Sequence, residues 1–115
     1  MAKKARYPLQ IYLDHILNEK EEASRELAAA QERLRAEEQK KADLEAELVA
    51  LEAEHEKWMR DYWQGLRQGA LSQFDIESRR NHLEGLARDC RDKQLAILAQ
   101  ERPIQKAAQA VDAAR

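Results

Sequence analysis

Residues 65–75 have the sequence GLRQGALSQFD and contain two of the three glycines in this chain. Gly65 and Gly69 stand at positions where a helix can end and the backbone can reverse direction. Ser72 is followed three positions later by Asp75, a spacing typical of the capping box at the start of a helix. The segment therefore predicts a turn between two helices.

On the N-terminal side of this turn, apolar residues recur at the spacing of a coiled coil. Residues 9–64 contain neither proline nor glycine, and Leu9 at heptad position d places apolar side chains at most a and d positions. A few a and d positions carry polar residues. These residues either specify the pairing register and the partner helix or mark places where the contact between helices is loose, and both interpretations stay open. The apolar members are Leu9, Leu13, Ile16, Ala23, Leu27, Ala30, Leu34, Leu44, Leu48, Leu51, Trp58 and Tyr62, and the polar ones are Lys20, Glu37, Lys41 and His55.

A second row of apolar residues follows the turn at intervals of seven. Leu86, Ala107 and Ala114 form a companion row three residues after members of the first, and three polar residues weaken it. Pro103 is expected to kink or loosen the helix. The pattern has not stopped at Val111, so we expect the second helix to continue beyond Arg115. The row consists of Ile76, Leu83, Cys90, Ile97, Ile104 and Val111, and the weakening residues are Arg79, Lys93 and Gln100.

These patterns predict an all-α fold, with residues 1–115 forming a single antiparallel coiled-coil hairpin. Helix one is expected at about residues 8–64, with Pro8 in its first turn, the turn at about 65–72, and helix two at about 73–115. With the turn centred near Gly69, residue i is expected to face residue 138 minus i. The first dozen or so residues of helix one then have no partner, and they include the apolar stretch YPLQIYLDHIL.

Four of the six aromatic residues lie close to the turn. Trp58, Tyr62 and Phe74 are expected to meet there and to close the end of the interhelical seam. Trp63, next to Tyr62 in sequence, must point to another face. An exposed tryptophan is typical of a protein–protein contact.

Composition argues against several classes of protein. A net charge of −2 with interleaved signs disfavours a nucleic-acid surface, which needs a basic excess on one face. No apolar run approaches the roughly 18 residues of a membrane span, and no secretory signal is recognisable. Cys90 is the only cysteine, which rules out a disulfide within the chain. We therefore expect a cytoplasmic protein without direct membrane insertion.

Catalytic and metal-binding arrangements are not supported by the residue pattern. His55 and His82 would lie near each other across the hairpin, but a polar core residue beside a flanking neighbour explains them more simply. Cys90 occupies an a position and is expected to be a structural thiol without an activating base. No phosphate loop or nucleophile motif is present. The sequence predicts a protein that is not an enzyme and has no metal or cofactor.

Two stretches resemble the central-stalk family of type III secretion, of the FliJ/YscO type found in flagella and injectisomes. They are YPLQIYLDHILNEKEEASRELAAAQERL at residues 7–34 and GALSQFDIESRRNHLEGLARDCRDKQLAIL at residues 69–98. Members of this family typically begin with an aromatic residue, a Leu-Gln step and a short apolar patch. Their turn carries Gly, a small apolar residue and Ser before the second helix. The resemblance covers nearly the whole chain.

The resemblance implies a non-catalytic coupling protein that is cytoplasmic and peripheral to the inner-membrane export apparatus. Family members insert their paired termini into a hexameric secretion ATPase, promote its assembly and activity, and reach the cytoplasmic domain of the export gate near the hairpin turn. Some escort empty export chaperones, which gives a third class of partner. The residues implied for the ATPase are Tyr7, Leu9, Tyr12, Leu13, Ile16 and Leu17, and those implied for the gate are Leu51, Trp58, Trp63, His82 and Leu86.

At three positions the sequence departs from the family's pattern near the gate surface. His82 stands where an aromatic residue is expected, and Asp89 and Lys93 replace a small residue and a histidine. Two other interpretations remain open: a generic coiled-coil scaffold, tether or chaperone unrelated to secretion, and the helical arm of a larger enzyme. The flagellar and injectisome systems are not distinguished by these residues.

Overall fold

A computed structural model describes the backbone of residues 2–115 and the side chains of residues 8–115. It contains two α-helices, α1 (Ala2–Arg67, 66 residues) and α2 (Gln73–Ala114, 42 residues). The described backbone contains no β-strand. The prediction of an all-α fold with two long helices in an antiparallel hairpin is confirmed.

Helix α1 extends further at both ends than the sequence indicated. It begins at Ala2, so Pro8 lies inside the helix and not in its first turn. An interior proline loses its own hydrogen bond and crowds the carbonyl four residues earlier, yet the backbone here is helical on both sides of Pro8. Helix α2 likewise runs through Pro103 without a break.

The C-terminal end of α1 is closed by a Schellman motif. Gly69 has a φ of +64°, the left-handed conformation that glycine adopts without a Cβ penalty. Its N–H donates to the Leu66 carbonyl at 3.2 Å, and the Ala70 N–H donates to the Gly65 carbonyl at 3.1 Å. These bonds satisfy carbonyls that the end of the helix leaves unpaired.

A close contact beneath the turn explains the other glycine. A Cβ built on Gly65 would lie 3.0 Å from both Cγ and Cδ1 of Leu71. The absence of a side chain at residue 65 therefore lets Leu71 fold back against α1, where it is half-buried.

The predicted capping box at the start of α2 is confirmed. The Asp75 N–H donates to Ser72 Oγ at 3.1 Å, and the Ser72 N–H donates to Asp75 Oδ2 at 3.3 Å. Together these two bonds satisfy donors that the first turn of a helix cannot pair internally. Asp75 also places a negative charge in the first turn of α2, where the helix dipole favours it.

The described contacts group the chain into two units, the first of Met1–Glu37 with Ile104–Arg115 and the second of Glu38–Pro103. In the second unit, α1 and α2 pack along the predicted heptad seam, with Leu83 and Leu86 buried. Most a and d residues of α1 are half-buried there. They are Lys41, Leu44, Leu48, Leu51, His55 and Tyr62.

The pairing between the helices differs from the predicted sum of 138. Lys93 Nζ contacts Glu47 Oε2 at 2.5 Å, and Lys41 Nζ lies 3.9 Å from Glu101 Oε1. The residue numbers of these pairs add to 140 and 142. Because α1 continues to Arg67 before the left-handed glycine, the chain reverses one to two residues later than Gly69.

In the first unit, α2 contributes the buried residues Ala107 and Val111. Leu27, Ala30 and Leu34 of α1 are half-buried there. From residue 8 to residue 26, Ile16 is the single half-buried residue among the described side chains. The described chain therefore covers the heptad row of α1 only from about Leu27 onward, and the uncovered part is about twice as long as predicted.

Candidate binding surfaces

An apolar surface lies on the part of α1 that α2 does not cover. We call it the N-terminal apolar surface. The side chain of Leu13 is 46% exposed although it occupies an a position, which in a coiled coil would be buried. Apart from Ile16, which is half-buried, its members are exposed. They are Leu9, Tyr12, Leu13, Ile16 and Leu17, whereas Ile11, at heptad position f, is exposed on the opposite side of α1.

Polar contacts along this surface stay within α1. Gln10 donates to Asp14 Oδ1 at 3.2 Å, and His15 Nε2 lies 3.0 Å from Glu19 Oε1. Both pairs are spaced four residues apart, as neighbours on one helix face are. Tyr7, assigned to the same surface from the sequence, lies outside the residues whose side chains are described.

Near the turn, the two helices are joined by a ring contact between two of the gate candidates. The indole of Trp58 on α1 and the imidazole of His82 on α2 have centroids 4.4 Å apart and an interplanar angle of 60°. Both side chains remain partly exposed. The pair thus presents a mixed aromatic and hydrogen-bonding surface made by both helices.

Trp63 lies off the seam, as the sequence predicted, and its side chain is 53% exposed. Its ring meets Tyr62 edge-on, with centroids 5.8 Å apart. It also lines a groove of about 590 Å³ formed entirely by residues of α1. The other lining residues are His55, Glu56, Met59, Arg60, Gln64 and Arg67.

Leu51 and Leu86, the remaining gate candidates, have different surroundings. Leu51 lines a crevice of about 320 Å³ together with Asp89, Asp92 and Lys93. Leu86 is only 6% exposed, so it packs between the helices and offers almost no surface to a partner. The structure therefore brings Trp58 and His82 together and leaves Leu86 inside.

Trp58, Tyr62 and Phe74 were predicted to meet at the turn, but the rings of Trp58 and Tyr62 instead contact His82 and Trp63 respectively. The side chain of Phe74 is 78% exposed. Phe74 precedes the seam residue Ile76 by two positions, which places it on the opposite side of α2 from the seam. Leu71, which packs against Gly65, lies closer to the end of the seam.

The polar candidates show no catalytic arrangement among the described residues. His82 packs on Trp58, whereas His55 lines the groove on α1. Within residues 8–115, no group of three or more His, Cys, Asp or Glu side chains is placed to hold a metal ion. Neither described helix is long and apolar enough to cross a membrane.

Cys90 is half-buried in the seam. Burial raises the pKa of its thiol above the ordinary value, and the carboxylates of Glu52 and Asp89 raise the pKa further. Because the thiolate is the nucleophilic form, these surroundings suit a packing residue better than a reactive one.

Sequence patterns alone missed several exposed apolar residues, because they lie outside the a and d rows. Ile11 lies on α1 opposite the N-terminal apolar surface, and Val49, Leu95 and Leu98 are exposed elsewhere. Assigning all seven heptad positions would have placed Leu95 and Leu98 on the outer side of α2.

Comparison with known proteins identifies the family. Searches of curated proteins and of solved structures found no match to this chain. A family model described as YscO-like protein matches residues 4–115, which agrees with the resemblance noted from the sequence. The match extends over α1, the turn and α2, and the chain therefore belongs to the YscO-like protein family.

Proposed function

We propose that this chain is a non-catalytic stalk of a type III protein export apparatus. In this role it inserts into a hexameric secretion ATPase, stimulates that ATPase, and links it to the cytoplasmic domain of the export gate. Membership of the YscO-like family supports the connection with type III secretion. The observation that carries the ATPase contact is the N-terminal apolar surface, which α2 leaves uncovered.

The physical case for this contact rests on exposed apolar area. Leu9, Tyr12, Leu13 and Leu17 lie within three turns of one helix and are all exposed. Exposed apolar clusters of this kind mark interaction sites in soluble proteins. Burying each such side chain against a partner contributes about 1.5–3 kcal/mol before the costs of association. A ring of ATPase subunits around α1 would provide that burial.

The gate contact is proposed for the surface near the turn. Trp58 with His82, the exposed Trp63, and Leu51 at its crevice are the groups that a partner could touch. Tryptophan is enriched among residues that dominate binding energy at interfaces. Leu86 takes part indirectly, because its burial holds α2 against α1 beneath these side chains.

The deciding experiment compares ATP hydrolysis by the cognate secretion ATPase with and without this chain. We expect stimulation by the wild-type chain and its loss with the double variant Leu13→Ala and Ile16→Ala. Val49→Ala is the matched control, since it removes an exposed apolar side chain from α1 elsewhere. Far-ultraviolet circular dichroism and urea unfolding should be nearly unchanged in all variants, because neither surface supports the described core.

A folded chain that neither stimulates the ATPase nor migrates with its hexamer would contradict the proposal. Strong self-association through Leu13 and Ile16 would instead favour the generic scaffold. The gate contact is tested separately, by binding of the gate's cytoplasmic domain to Trp63→Ala. Phe74→Ala serves as its control, because it removes another exposed aromatic ring near the turn.

A further inference from the structure

We propose that the outer side of α2 carries a third docking surface, which binds an acidic amphipathic helix of a partner protein. The inference does not depend on the ATPase or gate contacts, because it concerns residues outside both surfaces. It starts from Leu95 and Leu98, which are 64% and 63% exposed. The two leucines lie within one turn and form an exposed apolar spot on a face of α2 that otherwise carries arginines.

The heptad register places these leucines away from α1. With Ile97 in the seam at position a, Leu95 falls at f and Leu98 at b, which are the outer positions of a two-stranded coiled coil. Arg88, Arg91 and Arg102 fall at the same two positions and are also exposed. The five residues recur at spacings of three and four, so they lie along one face of α2. We call this face the outer stripe of α2.

The arginines of the outer stripe are available for a partner. None of Arg88, Arg91 and Arg102 makes an ion pair or a side-chain hydrogen bond with another residue in the described part of the chain. Two carboxylates close to the stripe in sequence have other surroundings, and Glu84, which precedes Arg88 by four residues on the same face, makes no ion pair with it among the described contacts. Glu101 lies 3.9 Å from Lys41, and Asp92 lines the crevice beside Leu51.

This arrangement specifies the chemistry of its occupant. An apolar centre between arginines favours a helix that presents leucine-like side chains at spacings of three and four and carries glutamate or aspartate on its flanks. The spacing is that of coiled-coil packing, which suits a helix better than an extended peptide. From Arg88 to Arg102 the stripe spans roughly 21 Å, or about four helical turns. So small a contact fits weak, transient binding.

A second copy of this chain is the main competing occupant. Glu45, Val49 and Glu52 of α1 are exposed and form an acidic face with one apolar residue. In a second copy, this face of α1 would present only Val49 to pack against Leu95 and Leu98. An amphipathic helix can present several apolar side chains to the same two leucines. We therefore assign the stripe to a separate acidic helix and treat self-association as an outcome of the test.

The test uses a fluorescein-labelled synthetic helix of about five turns, with leucines on one face and glutamates flanking them. A matched probe carries lysines in place of the glutamates. Anisotropy titrations are made with the full chain, with Leu95→Gln combined with Leu98→Gln, and with Arg91→Glu combined with Arg102→Glu. Val49→Gln is the control variant, and glutamine is chosen because it preserves helix propensity.

We expect the acidic probe to bind the wild-type chain and Val49→Gln equally, and to bind the leucine variant about tenfold or more weakly. The arginine variant should prefer the lysine probe, and salt should weaken wild-type binding. Circular dichroism checks that the variants remain helical, and the single Leu95→Gln variant replaces any double variant that does not. Equal binding to all variants, absence of binding, or a wild-type dimer that the leucine substitutions dissociate would each overturn the proposal.

Discussion

The imidazole ring of His82 packs against the indole of Trp58, with ring centroids 4.4 Å apart. The contact crosses from α2 to α1 about two and a half helical turns from the hairpin loop. Because Trp58 occupies a d position and His82 flanks the seam residue Leu83, the two rings cover the edge of the buried core. The ring contact gives the pair a packing role, and the proposed gate contact would add a binding role at the same residues.

A double-mutant cycle measures the packing role. Trp58→Ala, His82→Ala and their combination should show a coupling energy of about 0.5–1.5 kcal/mol in urea unfolding, as expected for a ring pair. Trp58→Ala combined with Phe74→Ala is the control, and these two effects should add, because Phe74 projects away from the seam. Additive losses for Trp58 and His82 would show that their contact contributes nothing to stability.

Two glycines with different surroundings should respond in opposite directions to alanine. Gly69 has a φ of +64°, so Gly69→Ala should lower the free energy of unfolding by about 1 kcal/mol. Gly85 lies within α2 and has nothing within 4 Å of a built Cβ. Gly85→Ala should therefore raise the free energy of unfolding by about 0.5–1 kcal/mol.

Urea midpoints at constant slope provide the measurement for both glycines. Gly69→Asn is the informative control, since asparagine tolerates the left-handed region better than alanine. Gly69→Asn should recover part of the free energy of unfolding that Gly69→Ala loses. If Gly69→Ala were as stable as the wild type, the left-handed cap of α1 would not be formed in solution.

Sequence patterns predicted the parts of the fold that depend on local chemistry. Ser72 and Asp75 form the expected capping box, and Gly69 takes the left-handed conformation expected at a helix end. The heptad row of α1 is half-buried as predicted from Leu27 to Tyr62, except at Trp58, which is 36% exposed. Each of these features depends on residues close together in the sequence.

The features that sequence patterns did not predict depend on the details of the turn. The predicted sum of the numbers of two facing residues was too low by two to four. The reason is that α1 continues to Arg67 and the Schellman hydrogen bonds move the chain reversal past Gly69. Phe74 was placed in the seam because it is apolar and near the turn, although its heptad position points outward. Leu95 and Leu98 were missed for the converse reason, since they lie outside the seam.

Lys93 tests whether polar seam residues cost stability. It is half-buried at a d position and paired with Glu47. An ion pair this exposed is worth at most about 1 kcal/mol, whereas an apolar side chain at the same position would gain buried area. Lys93→Leu should therefore raise the free energy of unfolding, and Glu47→Gln should change it by less than about 1 kcal/mol.

Thermal and urea unfolding measure both variants, and sedimentation measures their association. If Lys93 also specifies the helix pairing, Lys93→Leu should form more dimer than the wild type, because the polar residue no longer opposes alternative registers. A variant that is both less stable and monomeric would show that the Lys93–Glu47 pair is a net stabilising contact.

The Cys90 thiol should show an alkaline pH dependence. Burial, with the charges of Glu52 and Asp89, raises its pKa in the folded chain. Its contribution to stability is therefore fully present below the pKa of an unfolded thiol, and it is lost as the pH rises through the folded pKa. Cys90→Ala should remove this part of the alkaline decline in unfolding free energy.

Iodoacetamide should alkylate Cys90 more slowly in the folded chain than in denaturant. Glu52→Gln should move the pH profile of the alkylation rate in the folded chain to lower pH. Equal profiles in the folded and unfolded chains would contradict the half-buried placement of this thiol.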